Sequence, residues 1–490
     1  MMSLKPLLLW TDVLLGLLIL GGLILAGFIR RRRHLRAPWQ RVMQSKSGMV
    51  SLVILSFFLG IGLLDSIHFR PPVDSGKSGT KAYGVEVLSL LDLMIAPLRQ
   101  RPEKTYSAPL ATHLYAKETI ELADGRQVRT FPRLVYGGAH LNKPEDEKAA
   151  DVIRRVLAGL GLAVILWAIV AGVWLWYLSR RHQVGFQNWV MMVFRGRTPV
   201  PWNAALFTSL ALLLAGVPAA LMSVKYHLLG TDKVGQDVLY LALKSIRTGL
   251  VIGTLTTLVL LPLAVLFGIM AGYFRGWIDD LVQYIYTTFH SIPAVLLIAA
   301  AVLMTQVYMD THPSLFETVN ARADFRLLFL CLILGMTSWT GLCRLLRGEA
   351  LKLREMEYIQ AAQAFGVSDF RIIIRHILPN VMHIVLISMV MDFSGLVLAE
   401  AVLSYVGVGV DPSMISFGTM INSARMEMAR EPMVWWSLAA AFSFMFLMVL
   451  SANLFADAVR DAFDPRIQTL SGKLNLFGRK IAKETEEDQK

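Results

Sequence analysis

The sequence predicts an all-α, polytopic membrane protein of about nine transmembrane helices, with a small strand-containing extracytoplasmic insert. Three observations predict it. Of 490 residues, 55% are hydrophobic and only 17% charged, with a mean hydropathy of +0.53; a soluble chain of this length would need more charge to cover its surface. Nine stretches are long and apolar enough to cross the roughly 30 Å hydrocarbon core as helices. When these are alternated across a bilayer, every strongly basic short loop falls on one side.

The expected spans are about 7–29, 48–67, 152–178, 204–224, 246–273, 281–308, 325–346, 380–404 and 434–458. The first differs from a signal peptide, because its apolar run is too long and its positive charge follows it. That charge, RRRRHLRAPWQR (30–41), is the most basic stretch of the chain. The positive-inside rule makes it cytoplasmic and places the N-terminus outside. Alternation then puts SRRHQVGFQNWVMMVFRGR (179–197), FRGWIDD (274–280), the stretch 347–379 and the C-terminal tail inside. The expected location is a bacterial inner (cytoplasmic) membrane, multi-pass, N-terminus outside and C-terminus cytoplasmic.

The formal net charge of +12 reports this topology. No basic stretch is interleaved with stacking aromatics, so nucleic acid is not an expected partner. Cys331 and Cys343 share one apolar segment, about 18 Å apart at 1.5 Å per residue. That is beyond disulfide reach, and with no ligand cluster beside them no metal is expected.

The largest stretch outside the spans, 69–150, is extracytoplasmic in this topology. It contains ETIELADGRQVRTF (118–131), where two β-compatible runs flank Asp124-Gly125, a strong hairpin signal. GKSGT (76–80) imitates the end of a phosphate-binding loop, but Pro71 stands where that pattern needs its first glycine and no strand precedes it. No other stretch fits a nucleotide-binding loop. Any ATP work therefore falls to another chain.

A charged, amphipathic stretch interrupts the apolar pattern: EYIQAAQAFGVSDFRIIIRHILPN (357–380). Tyr358, Ala361, Ala362 and Phe365 are spaced as one apolar face of a short helix. Gly366 supplies a C-terminus in the left-handed conformation, and Ser368 or Asp369 can cap a second helix. Phe370, Ile373, Ile374 and Ile377 repeat the spacing, and Leu378-Pro379 ends that helix and starts the next span. Such a hairpin either lies on lipid headgroups or docks into a groove of a cytoplasmic partner.

QAAQAFGVSDFRIIIRHILPN (360–380) resembles the cytoplasmic signature loop of permease subunits in binding-protein-dependent ABC importers. Gln360, Ala361, Ala362, Gly366, Leu378 and Pro379 occupy its positions; Gln360 stands where glutamate is usual, with Glu357 one turn away. HLLGTDKVGQDVL (227–239), AGYFRGWIDD (271–280), LAEAVLSYVGVGV (398–410) and DAVRDAFDPR (457–466) are similar to the dipeptide/oligopeptide/nickel branch, in family order, over about half the chain.

The resemblance implies a type I importer permease core at 227–467 with a cytoplasmic coupling loop at 347–379 and a cytoplasmic tail at 468–490. Residues 48–68 resemble the family's first helix. An extra helix and basic loop (1–47), the insert (69–150) and two further helices (151–226) are additions. The implied partners are a second permease subunit, one or two cytoplasmic ABC ATPase subunits that bind ATP and Mg, a periplasmic solute-binding protein and membrane lipid. No cofactor is implied in this chain, and no catalytic residue. The cargo is a peptide-like or similar small solute.

By the same resemblance, Glu357, Gln360, Ala361, Ala362, Phe365, Gly366, Asp369, Phe370, Leu378 and Pro379 would form the ATPase-coupling surface. Gly230, Asp232, Gly235 and Asp237 would shape an extracytoplasmic mouth, where Gln236 replaces the family's usual arginine. Asp392, Glu400 and His290 lie within spans and serve either the path or helix packing. The glycine pairs Gly249/Gly253 and Gly268/Gly272 allow close helix approach within the subunit or between subunits. The alternative class is an ATPase-independent secondary transporter or channel. A membrane enzyme is disfavoured: there is no paired His/Glu zinc spacing and no serine in a glycine elbow.

Overall fold

The computed structural model describes residues 5–31, 33–73, 82–84, 86–121, 127–316 and 318–463. GKSGT (76–80), the Asp124-Gly125 turn and residues 464–490 lie outside the described residues. Strand β1 (Lys5–Leu7) precedes helices α1 (Trp10–Arg31), α2 (Arg33–Gln44) and α3 (Lys46–Asp65). The insert follows with β2 (His68–Arg70), β3 (Pro72–Val73), β4 (Ala82–Tyr83), β5 (Leu88–Ser89), α4 (Leu90–Met94), α5 (Ala96–Arg99), β6 (Glu118–Glu121) and β7 (Gln127–Thr130). Then come α6 (Pro144–His182), α7 (Phe186–Phe194), α8 (Trp202–Ser223), α9 (Val238–Phe274), α10 (Trp277–Ser291), α11 (Ala294–Thr311) and α12 (Val319–Arg354). Last are α13 (Glu357–Ala364), α14 (Asp369–Ile372), a π turn (Ile373–Ile377), α15 (Leu378–Tyr405), α16 (Phe417–Met428) and α17 (Trp436–Phe463).

Eight helices are long and apolar enough to cross a membrane, and a shorter apolar stretch, Trp10–Ile24, lies in α1. These match the nine expected spans, with two corrections. The first begins later than position 7, because Lys5–Leu7 is a strand that pairs antiparallel with His68–Arg70. The sixth is broken: α10 stops at Ser291 and α11 starts at Ala294. Pro293 has no N–H to donate and disfavours helical backbone before it; Ile292 accordingly sits extended, at φ −90° and ψ 129°.

The centre of the bundle is the pair α9 and α12, which run parallel: Val259 lies against Gly335, Gly268 against Cys343 and Gly272 against Ala350. A Cβ added at Gly268 would stand 2.8 Å from the Cys343 carbonyl, and one at Gly272 would stand 2.6 Å from that of Arg347. This glycine pair therefore serves contact within the subunit. Around it Trp339, Leu342, Leu346, Ile377 and Val381 form one apolar cluster, which includes Cys343. Cys331 and Cys343 are both buried and free. α15 packs on both, α17 packs on α9 and α15, α3 lies against α9 and α17, and α6 pairs with α8.

The added segments are held by buried ion pairs. Asp12 of α1 pairs with Arg247 of α9 at 2.5 Å and with the His68 ring at 2.7 Å. Thr11 hydrogen-bonds Asp324 of α12. Lys244 meets Asp65 at 2.6 Å and Asp92 at 3.0 Å, and the Tyr240 hydroxyl donates to Asp92 at 2.9 Å. Charges so buried are tolerable because each finds a partner. In the insert β6 and β7 pair antiparallel, Glu118 opposite Thr130 and Glu121 opposite Gln127, so the two β-compatible runs of the sequence pair as a hairpin's strands do.

Candidate functional site

Residues 355–379 form a hairpin at the end of the bundle where α9 and α12 terminate. Its turn is made by Gly366, at φ +74°, a conformation that costs side-chain-bearing residues about 1–2 kcal/mol. The Val367 N–H donates to the Ala362 carbonyl at 3.1 Å and the Gly366 N–H to the Gln363 carbonyl at 2.9 Å, satisfying the last carbonyls of α13.

One face of the hairpin is packed onto the membrane helices. Ile359, Ile372 and Ile377 are fully buried, with Ala362, Val367 and Ile373 packed beside them. The other face is bare. Phe365 is 87% exposed and Phe370 74% exposed, and Glu357, Gln360, Ala361, Gly366 and Asp369 are also exposed. The sequence expectation of one apolar face at Tyr358, Ala361, Ala362 and Phe365 is thus corrected. The hairpin has two apolar faces, and Ile359 and Ile372 form the buried one. Both lie one position from the expected stripe, a shift of about 100° around a helix.

Polar contacts fix the hairpin. The Tyr273 hydroxyl, at the end of α9, donates to the Asp369 carboxylate at 2.6 Å and accepts from the Gln363 amide at 3.1 Å. Arg354 donates to the Tyr273 carbonyl at 2.7 Å and its guanidinium lies 5.8 Å from the Tyr273 ring centroid. Arg347 grips Asp279 with two bonds, at 2.5 and 2.7 Å. Asp369 is thereby a fastening point, while Ser368, the capping position, makes no side-chain cap bond. Tyr273 lies within the AGYFRGWIDD stretch singled out in the sequence, yet its spacing carries no hint of this bond.

A second correction concerns Leu378-Pro379. The helix does not stop there. α14 passes through the π turn into α15, giving one continuous helical rod, Asp369–Tyr405. Pro379, within the first two positions of α15, has no N–H to donate, and the wider π turn before it leaves room for its ring.

At the opposite end of the bundle, the four mouth residues meet the insert. Gly230, Gly235 and Asp237 are buried and Asp232 is half-buried. Segment 103–115 lies over them: the Glu103 N–H donates to the Gly235 carbonyl at 2.9 Å, and the Leu110 N–H to the His227 carbonyl at 2.9 Å. Ser107 and Thr231 bond at 2.7 Å. Asp237 caps α9 through the Leu239 N–H, at 2.8 Å, and holds His227 Nδ1 at 2.8 Å.

The keystone is Glu103, absent from the sequence expectations. Its carboxylate accepts from the N–H groups of Val135, Tyr136 and Gly137 at 2.8–2.9 Å and faces His227 Nε2 at 3.4 Å. Burial opposes ionisation of Glu103, but the His227 ring and these N–H groups outweigh it and bring its pKa down to about 2. Burial likewise opposes charge on His227, yet Asp237 and Glu103 raise its pKa to about 9.

The remaining candidates sit apart. Glu400 is buried in α15 and accepts from Ser404 at 2.6 Å and from Ser416, just before α16, at 2.9 Å. Asp392 is half-buried in α15, and His290 is exposed at the end of α10, lining a niche with Tyr286, Thr287, Ser291 and Arg344. Among the described residues no group of three or more His, Cys, Asp or Glu side chains is placed to hold a metal ion.

The profile of the binding-protein-dependent transport system inner membrane component family matches residues 264–469. The chain is 32% identical to the oligopeptide transport system permease protein OppC of Mycobacterium tuberculosis over 244 residues, 50% of this chain and 77% of that one. It is 32% identical to the glutathione transport system permease protein GsiD of Pectobacterium atrosepticum over 50% of this chain and 74% of that one. It is 29% identical to the dipeptide transport system permease protein DppC of Bacillus subtilis over 49% and 69%. A chain of the inward-facing MetNI methionine ABC transporter matches 46% of this chain and 97% of its own, at 15% identity and a TM-score of 0.34.

Proposed function

The chain belongs to the family of inner-membrane permease components of binding-protein-dependent ABC transport systems, and on that premise we propose that it forms half of an import path for a peptide-like solute, worked through the 357–379 hairpin by separate ATPase subunits. The observation that carries this reading is the pair of bare rings, Phe365 and Phe370, on a hairpin whose opposite face is bonded to α9. Burying one such ring in a partner's cleft contributes about 1.5–3 kcal/mol, whereas leaving two in water serves no folding purpose. In this orientation the hairpin and C-terminus are cytoplasmic and the N-terminus and insert lie outside.

ATP and Mg belong to the partner ATPases. When these close, they push Phe365 and Phe370. Because Asp369–Tyr405 is one rod, roughly 55 Å long at 1.5 Å per residue, the push reaches the far side of the membrane without a joint. The Tyr273–Asp369 bond carries it to α9 as well. A second permease subunit supplies the other wall of the path, and a solute-binding protein delivers cargo.

The test is purification of the full chain with its ATPases. Phe365→Ser/Phe370→Ser is expected to leave the permease folded in the membrane and to lose the ATPases. Retention of the ATPases together with solute-stimulated hydrolysis would overturn the docking role.

A further inference from the structure

Resting on the permease reading, we propose that the insert, rather than block 227–237, receives the solute-binding protein, and that a basic, aromatic groove on the insert takes an acidic segment of that partner. Three of the four residues that would shape the mouth are buried beneath segment 103–115. An incoming protein on this side therefore meets the insert first. A Cβ at Gly235 would fall 1.8 Å from the Glu103 carbonyl oxygen, so the two segments fit with no room for a third chain between them.

The groove has a volume of about 700 Å³ and lies between the strand-bearing part of the insert and the turn at Glu431-Pro432. Lys117, Arg129 and Lys148 line it, with Tyr115 and Phe131 as its apolar surface and Glu431 as a carboxylate on the wall. The Lys117 ammonium sits 5.4 Å from the Phe131 ring centroid. Clustered cations beside exposed aromatic surface favour a partner segment that combines carboxylates with an apolar side chain, and they steer its approach.

The groove is also tied to the moving core. The Tyr115 hydroxyl donates to the Met433 carbonyl at 3.1 Å, and the Tyr115 ring packs edge-on against Trp436 at 4.8 Å. Trp436 opens α17 and its indole N–H donates to the Thr231 carbonyl at 3.0 Å. A protein seated in the groove thus touches the insert and the loop that leads into α17, and through Tyr115 it bears on Trp436.

The experiment places a photo-crosslinking amino acid at Lys117 or Arg129, and in parallel at the exposed Lys233 or Gln236, in the complete transporter in cells. Adducts are identified by mass spectrometry. A solute-binding protein captured from 117 and 129, and not from 233 and 236, is the expected result. Capture from 233 and 236 alone, or adducts at 117 and 129 only with lipid or with proteins of another class, overturns the proposal. Co-purification of the ATPases, scored on the same cells, reports the permease reading separately. Lys117→Glu/Arg129→Glu/Lys148→Glu should lower solute uptake at least about tenfold while basal ATPase activity in detergent is unchanged; undiminished uptake would also overturn it.

Discussion

The phenol of Tyr273, in the last turn of α9, donates to the Asp369 carboxylate at 2.6 Å, so the rod that begins beyond the Gly366 turn is fastened at its start to a different membrane helix. Removing the hydroxyl in Tyr273→Phe takes away this bond and the one from Gln363 and costs about 1–2 kcal/mol, because Asp369 and Gln363 are exposed and regain water. The ATPases are expected to stay bound while ATP consumed per solute moved rises severalfold in proteoliposomes. An unchanged ratio would show that the bond has no part in coupling.

At Gly366 space and backbone make separate demands. Among the described residues no atom lies within 4 Å of an added Cβ, yet φ is +74°. Transport should therefore follow left-handed tolerance rather than side-chain size: Asn close to Gly, Ala weakened by about 1 kcal/mol, Val worst. Uptake rates for the three variants check this order, and a Val variant as active as Asn would contradict it.

Phe365→Ala and Phe370→Ala should each change the permease's own stability by no more than about 0.5 kcal/mol, as exposed positions do. Each is expected to weaken ATPase binding by roughly ten- to a hundredfold, the equivalent of about 1.5–3 kcal/mol of lost burial. Thermal unfolding of the isolated permease and titration with ATPase measure the two quantities independently.

The seating of the insert should depend on pH. His227 has its pKa raised to about 9 from an ordinary value near 6.5; its contribution is complete below about 6.5 and is lost as pH rises through about 9. Glu103, held near 2, contributes fully above its ordinary value of about 4.3 and loses its contribution only in strong acid. Limited proteolysis of segment 103–115 should therefore accelerate between pH 6.5 and 9.5 and be flat from pH 5 to 6.5. His227→Gln should remove the alkaline acceleration.

Gly235→Ala sets a side chain against the Glu103 backbone at 1.8 Å, at φ +75°, with no flexible neighbour able to yield. The insert should lift, with proteolysis at 103–115 rising at neutral pH, while membrane insertion and ATPase binding at the other end persist.

Much of this architecture is legible in the sequence because the bilayer imposes a coarse rule: apolar runs of sufficient length become helices. The break at Ile292-Pro293 was signalled by Pro293 but hidden inside a continuous apolar run. The hairpin was legible as helix, glycine turn, helix, because Gly366 has one conformational role. Its facing was not. Ile359 and Phe365 are both apolar, and which one turns inward depends on where the chain meets α9, which ends more than eighty residues earlier. The π turn before Pro379 is similarly invisible, since it arises where α14 must meet α15 without a break. Glu103 gave no signal, because its partners are three backbone N–H groups and a histidine more than a hundred residues on.

A stiff rod has no preferred direction. If closure of the motor at Phe370 displaces the outer end of α15 near Glu400, then whatever settles against that outer end must alter binding around Phe370 by the same free energy. Under the proposed reading the subunit would then be a gauge as well as a drive shaft, with arrival of freight at one surface felt at the other.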